Sequence, residues 1–392
     1  MSEQTRATPP LLKHLNERTV LETIRAGAPI SRAEISRRVG ISKPTVSLAL
    51  QSLVGSGLVR EAEDGPDGPS YGAVYFEPVA EAALVLGLDL GARFLRGAIC
   101  DLGGRVRARQ DVELSDGGAE AALEAIEELC AGLVEATGLG RRLVDGVLAG
   151  VPGVVEGANG VVRLAENVPG LEGMRFAEEL RERLDMPVVL ENDINLAAVG
   201  ERWRGAARGV DDFVFLSVGT GMGAGLVLGG QLHRGRHGAA GEIDFALGDG
   251  GEASDPSAPA VSALAAELAE RDDDTSLTPP YEARAVFGAA RAGDDVARAV
   301  VDEVARRIAL HIAPVAAVAD VELVVLGGGL GANGDLLLVP VRDHLADWLP
   351  FPPRVEISTL GDAAVLTGAL AVGLRSARDN VFETRSRPSA SA

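Results

Sequence analysis

The chain has 392 residues, 46% of them hydrophobic and 24% charged, which is length and apolar content enough for two or three folding units. Its 37 Lys+Arg stand against 57 Asp+Glu, and this net of −20 argues, taken over the whole chain, against nucleic acid as a partner. Cys100 and Cys130 lack paired spacing, and no signal peptide or apolar run long enough to span a membrane is present, so a cytoplasmic protein with reduced thiols and no membrane partner is expected.

The charge is unevenly spread. Residues 1–60 hold nine Lys/Arg and four Asp/Glu, a net of +5, so the remaining 332 residues carry −25. Only the N-terminal segment is electrostatically suited to a phosphate backbone.

In that segment a helix is expected over about Asn16 to Ala26, with Leu15, Val20, Leu21 and Ile24 inward. Ser31 followed by Glu34 makes a capping box, so a second helix begins there and ends at Gly40. Ser42 caps a third, with Pro44 in its first turn, where the missing N–H costs little. Val46, Leu50, Leu53 and Val54 form its buried face and leave Lys43, Thr45, Ser47 and Gln51 outward, residue types that bond phosphates and base edges. With Ser42 and Arg32, these four are the candidate DNA contacts. Leu58 to Phe76 reads as a β-hairpin wing turning at Gly65-Pro66-Asp67-Gly68-Pro69. The competing reading is a small helical interaction domain of similar outline.

From Ala83 strands and helices alternate, as in an α/β domain. LVLGLDL, FLRGAICD and VRARQDVEL read as three strands, followed by an amphipathic helix near Ala119 to Ala136 and a strand at VDGVLAGVPG. Further strands are expected at MPVVLEN, DFVFLSVG, GAGLVLGG and VELVVLGGG, with a long helix across Asp295 to Val318. The stretch from Ser376 to Ala392 is polar and expected to fray. Glycine turns follow three of these strands: Gly87 to Gly91, Gly219-Thr220-Gly221 and Gly327-Gly328-Gly329. Each can offer backbone N–H groups to a phosphate. One such turn is weak evidence, but three in this order together with Glu191-Asn192-Asp193-Ile194-Asn195 are much more specific.

On these motifs, and on VPGVVEGANGVVRLAENVPG and SVGTGMGAGLVLGGQLHRGRHGAAGEID in the same order, the chain resembles the ROK family of repressors and sugar kinases from about Asn16 to Leu374. The resemblance implies an N-terminal winged helix-turn-helix over residues 1–78, then a two-subdomain actin-like, ribonuclease-H-like ATPase (ROK) fold over 79–378. The small subdomain would take about 79–196 plus the C-terminal helix, the large one about 197–362, and residues 379–392 would be a flexible tail.

Carried over by position, the family pattern implies that Asn167, Asn192, Asp193 and Glu242 line a sugar pocket, with Asp193 as general base toward the nucleotide's terminal phosphate. Asp89, Gly91, Thr220, Gly221, Gly328 and Gly329 match the nucleotide loops. Asp193 has a second reading as the N-cap of a helix over Ile194 to Trp203. The chain departs from the pattern at Arg93, where the family has Thr, and at Phe245, which replaces the His of a Gly-Glu-Ile-Gly-His element. The cysteine-rich zinc segment that should follow reads LGDGGEASDPSAPA, and His233 with His237 cannot make up a zinc ligand set, so no metal is expected. His237 as a sugar ligand competes with its reading as a surface residue. Acidic Glu61, Glu63, Asp64 and Asp67 stand in the wing where family regulators place Arg, which shifts specificity onto the helix beginning at Ser42.

The expected function is a repressor of carbohydrate genes that binds operator DNA as a homodimer or homotetramer under control of a sugar or phosphosugar effector. The alternative is an ATP-dependent sugar kinase; no cofactor is expected, with ATP and Mg entering only if kinase activity is retained. A ligand-independent architectural DNA binder is the third reading.

Overall fold

The computed structural model describes residues 9–66, 73–114, 117–157, 160–165, 167–245, 254–272 and 274–386. The N-terminal unit runs α1 (Pro9–Gly27), β1 (Ile30–Ser31), α2 (Arg32–Val39), α3 (Lys43–Gly55), β2 (Val59–Glu61) and β3 (Tyr75–Pro78). Ser31 caps α2 by accepting the Glu34 N–H at 3.3 Å, and Gly40 ends it in the left-handed region at φ 69°. The Glu34 carboxylate turns to Arg37 and Arg38 instead of closing the capping box. Ser42 caps α3 from the Thr45 N–H at 3.4 Å. The wing is a three-stranded sheet in the order β1-β3-β2, with Arg60 opposite Glu77. The turn expected at Asp67 to Pro69 lies outside the described residues.

Two inward assignments fail on helical phase. In α1 the buried set is Glu17, Val20, Leu21 and Ile24, which leaves Leu15 out of register and 48% exposed. The helix also begins at Pro9, well before Asn16. In α3 the buried set is Val46, Ala49, Leu50 and Leu53, so Val54 faces solvent.

Beyond the wing come β4 (Leu84–Leu90), β5 (Phe94–Asp101), β6 (Val106–Glu113), α4 (Gly118–Ala136), β7 (Val144–Val151), β8 (Val154–Glu156), β9 (Val161–Arg163), α5 (Phe176–Leu184) and β10 (Val188–Asn192). Five of these strands form a sheet ordered β10-β7-β4-β5-β6, antiparallel through the first meander and parallel where β7 and β10 join. β4 is buried along its whole length, as a strand covered on both faces must be. One face packs on α4 and α5 through Leu123, Ile126, Leu129, Phe176 and Leu180.

Next follow α6 (Asp193–Arg204), β11 (Phe213–Val218), β12 (Met222–Leu228), β13 (Gln231–His233), α7 (Ala258–Ala269), α8 (Ala283–Ala292), α9 (Asp295–Ala319), β14 (Leu323–Gly327), the single turn α10 (Gly328–Gly331), α11 (Gly334–Trp348), β15 (Arg354–Ile357) and α12 (Ala364–Ser386). The second sheet is ordered β13-β12-β11-β14-β15 and buries one face against α7, α8, α9 and α11.

The two sheets meet through α6 and α12. A Cβ added at Gly368 would stand 1.8 Å from the Leu196 carbonyl, and one at Gly200 would stand 2.2 Å from that of Ala364, so the helices cross with backbones in contact. Glu201, wholly buried on α6, accepts the Ala206 N–H at 2.7 Å, the Leu360 N–H at 3.3 Å and the Ser358 hydroxyl. It ties the end of α6 to the segment that leads into α12.

The fraying expected from Ser376, and the flexible tail from residue 379, do not begin there. α12 continues to Ser386 because Val381 and Phe382 are buried in one cluster with Ile24 and Leu53 of the N-terminal unit and Val85 and Cys100 of the first sheet. Arg18 bonds Asp379 at 2.5 Å, and His14 meets Glu383 at 3.0 Å with its ring tilted by 42° against that of Phe382. Residues 387–392 lie outside the described residues. Gly368→Ala should therefore lower unfolding free energy by about 1–3 kcal/mol, read by urea denaturation of the full chain; an unchanged midpoint would mean that the helix crossing relaxes freely.

Candidate functional site

The candidate DNA-facing surface is built on the first turns of α3. Arg32, Lys43, Ser47 and Gln51 line a groove of about 550 Å3 that Glu61 and Val74 of the wing close from the other side. The six candidate contacts differ in freedom. The Ser42 and Thr45 hydroxyls bond each other at 2.8 Å within the cap, and Ser47 donates to the Lys43 carbonyl while accepting from Arg32 at 3.1 Å. The Lys43 and Gln51 side chains are exposed and carry no partner among the described residues. Leu48, 67% exposed on the same helix, was missed by polar pattern alone and is suited to a thymine methyl. In the wing, Arg60 is held by Glu77 at 2.7 Å.

The cleft gathers the ends of the parallel strands, where open α/β sheets bind ligands. Asp89 and Glu191 share one row, each in register with Gly150 of β7 between them. Asp193 opens α6, and Glu242 sits on the loop after β13, which is pinned to β12 by the Ala224 N–H donating to the Gly241 carbonyl at 2.9 Å. At the second sheet the turns meet: Gly328 has φ 78°, and a Cβ there would stand 2.4 Å from the Val218 carbonyl just before Gly219. Thr220 and Gly221 are exposed on that β11–β12 turn, and Gly329 lies beside it. Across the cleft, the Gly91 N–H donates to the Phe94 carbonyl at 2.9 Å.

These carboxyl groups perturb one another. Burial pushes Asp193 up to about 7, with the negative charges of Asp89 and Glu242 adding and the Ile194 N–H at 2.8 Å opposing. Burial pushes Asp89 up to about 6 against the pull of Arg96, whose guanidinium lies 3.2 Å away. Glu242 is raised by burial and by Asp244. A carboxyl group titrating near neutrality in a cleft has the properties of a general base.

Other candidates are spent on structure. Asn192, not Asp193, is the N-cap of α6: its Oδ1 accepts the Asn195 N–H at 2.9 Å and its Nδ2 donates to the Gly153 carbonyl at 3.0 Å. Asn167 is exposed on the turn after β9, and no described hydrogen bond links it to Asp193 or Glu242. Arg93 leans to the edge strand, bonding Glu113 at 3.0 Å. His233, His237 and Phe245 are exposed.

The residues present do not fit a structural zinc. Both thiols are buried in the first sheet's layer and pushed up to about 12 by burial, and no cluster of three metal-ligating side chains exists among the described residues.

Two cleft residues escaped sequence reasoning. Arg96 faces Asp89 across the β4–β5 hairpin, a pairing recoverable by counting outward from its turn. Arg234, whose Nε bonds the buried Glu191 at 2.5 Å, comes from a remote loop and left no local signal.

The ROK family model matches residues 85–375 and the MarR family model residues 14–68. A xylose repressor of Caldicellulosiruptor bescii is 27% identical over 389 residues, covering 92% of this chain and 96% of its own. A glucokinase of Halalkalibacterium halodurans is 30% identical over 72% of this chain and 93% of its own. Among solved structures, a ROK family transcriptional regulator described as a homologue of E. coli MLC protein superposes with TM-score 0.78 over 96% of this chain and 99% of its own, at 21% identity. A Streptomyces griseus ROK glucokinase, in complex with glucose and AMPPNP, superposes with TM-score 0.63 at 29% identity over 75% of this chain and all of its own.

Because the folded chain holds the Asp193 proton up to about pH 7 and the unfolded chain releases it near 3.8, stability should fall as pH rises between these values. Asp89 acts with the same sign up to about pH 6. In melting curves across that range, Asp193→Asn should show a shallower decline than the parent and melt higher at pH 8. Parallel curves would mean that Asp193 titrates as a solvated carboxylate.

Proposed function

This chain belongs to the ROK family, and on that premise we propose that it is a transcriptional repressor of carbohydrate genes, with a cleft that senses a sugar or sugar derivative. The observation that carries this reading is the shared core of α12, whose C-terminal end lies in one apolar cluster with the DNA-reading unit and whose remaining length packs on the first sheet and on α6. The end-to-end likeness to a xylose repressor supports the same two-part organisation.

Asp193 and Glu242 accept hydrogen bonds from sugar hydroxyls in this proposal, and the glycine turns at Gly91, Thr220-Gly221 and Gly328-Gly329 form the facing wall. Asn192 supports the pocket through its cap, and Asn167 is assigned to the rim. A ligand that binds one spacing of the two sheets more tightly shifts the population toward it. α12 transmits that spacing to the reading helices, and a homodimer or homotetramer converts it into a change of half-site distance on operator DNA. Lys43 and Gln51 carry direct contact, Arg32, Ser42, Thr45 and Ser47 support it, and Leu48 adds an apolar contact.

The kinase reading draws on the raised Asp193 and on the glucokinase relatives. Against it, the Arg96 guanidinium already occupies Asp89, so a divalent ion bound with ATP would have to compete for that carboxylate, and Phe245 removes the imidazole that the family pattern places at the sugar. We therefore read the kinase site as eroded, with no bound zinc and a cytoplasmic setting.

Fluorescence anisotropy on the chain's own upstream DNA tests the proposal. Lys43→Ala should lower the slope of log affinity against log salt by about one, and Gln51→Ala should cost about 1–3 kcal/mol on the specific site alone. A sugar that shifts the parent's DNA affinity should lose its effect in Asp193→Asn. Absence of DNA binding, together with sugar-dependent ATP consumption that Asp193→Asn abolishes, would establish the kinase instead.

A further inference from the structure

Away from the cleft, an open groove of about 670 Å3 lies where α1, α6, the β12–β13 hairpin and α12 converge. Its volume is in the range of small-molecule sites. Six arginines line it, Arg18, Arg202, Arg208, Arg234, Arg375 and Arg378, against two carboxylates, Glu22 and Asp379. A chain with net charge −20 thus concentrates cations at one concave seam.

Several of these guanidinium groups have donors to spare. Arg208 and Arg375 are exposed and have no carboxylate partner among the described residues. Arg202 bonds Asp211 through Nη2 at 2.7 Å, yet its Nε is buried without an acceptor. A buried donor left unpaired is costly, and an oxyanion is the acceptor that guanidinium forks fit best. Trp203 and Leu232 line the same groove, so an occupant meets apolar surface beside the charge.

We propose that this groove is a second effector site that takes a phosphorylated monosaccharide, its phosphate held by Arg202, Arg208 and Arg375. Such a ligand touches the DNA-reading unit through α1 and the sensor through α6 and β13 at once. The groove also communicates with the cleft, because Arg234 lines it while bonding Glu191, two residues before Asp193. The effect on DNA rests on the regulator reading; the binding itself does not.

Isothermal titration of the full chain at constant ionic strength, with glucose 6-phosphate, fructose 1,6-bisphosphate, glucose and inorganic phosphate, tests this directly. At least one phosphosugar should bind about tenfold or more tightly than inorganic phosphate, and Arg208→Gln and Arg375→Gln should each weaken it by about tenfold. Neither substitution should move the melting temperature or any response to glucose, and Asp193→Asn should bind the phosphosugar as the parent does. Binding lost in Asp193→Asn but kept in both arginine variants would put the ligand in the cleft and overturn the proposal. Equal affinity for inorganic phosphate, or no phosphosugar binding at millimolar concentration, would also overturn it. So would arginine variants that weaken DNA binding in phosphate-free buffer without any phosphosugar binding, since the groove would then serve the DNA backbone.

Discussion

The contact on which the rest of this molecule depends is the crossing of α6 and α12. With glycine at positions 200 and 368 the two backbones touch, and no side chain cushions them. That closeness brings the sheet containing β4, β7 and β10 against the one containing β11, β12 and β14, and so makes a cleft between the ends of their strands. It also fixes the N-terminus of α6, where Asp193 stands. A contact made of backbone transmits displacement more faithfully than one made of long flexible side chains, because packed interiors compress little.

α12 then extends the same constraint outward. Its first turns lie in the crossing, while Val381 and Phe382 close the core of the helix-turn-helix unit. The DNA-reading helices are thus not a bead on a tether. Their apolar cluster is continuous with β4 and β5, and Arg18–Asp379 and His14–Glu383 secure its rim. Exposed ion pairs of this kind contribute little energy individually, so the apolar continuity is what holds the orientation.

Charge is arranged to match. Most arginines of this acidic chain are spent on carboxylates, including Arg96 on Asp89, Arg107 on Asp101 and Arg234 on Glu191. Among the described residues, unpaired cations gather on the outward face of α3 and in the seam where α1, α6 and α12 meet, while Arg105, Arg142, Arg236 and Arg284 stand singly elsewhere on the surface. Within the cleft the balance reverses, since Asp89, Asp193 and Glu242 are crowded together and raised by burial. A polar uncharged ligand that donates hydrogen bonds suits that pocket, whereas an anion suits the seam.

The capped helices at Ser31 and Ser42, the wing hairpin and the eight longer strands between Leu84 and Gly327 were legible in the chain, whereas the three-residue strands β8, β9 and β13 were not. Caps, helical phase and strand patterning act over a few residues and are written locally. The same locality explains the errors: Leu15 and Val54 were apolar and near the right phase, but Glu17 and Ala49 took the inward positions once the neighbouring helices were present. Asn192 and Asp193 are adjacent and equally able to cap, and only the path of β10 into α6 decided which one turned inward. The folding of residues 379–386 was hidden because a polar-looking tail becomes half of a core only when α1 and β5 supply the other half. By itself the sequence determined the kinds of elements, the family pattern and the place of its carboxylates and glycine turns. The tertiary structure alone decided which donors stay free, how Arg234 meets Glu191 and how the reader is joined to the sensor, because those depend on contacts between residues tens to hundreds of positions apart.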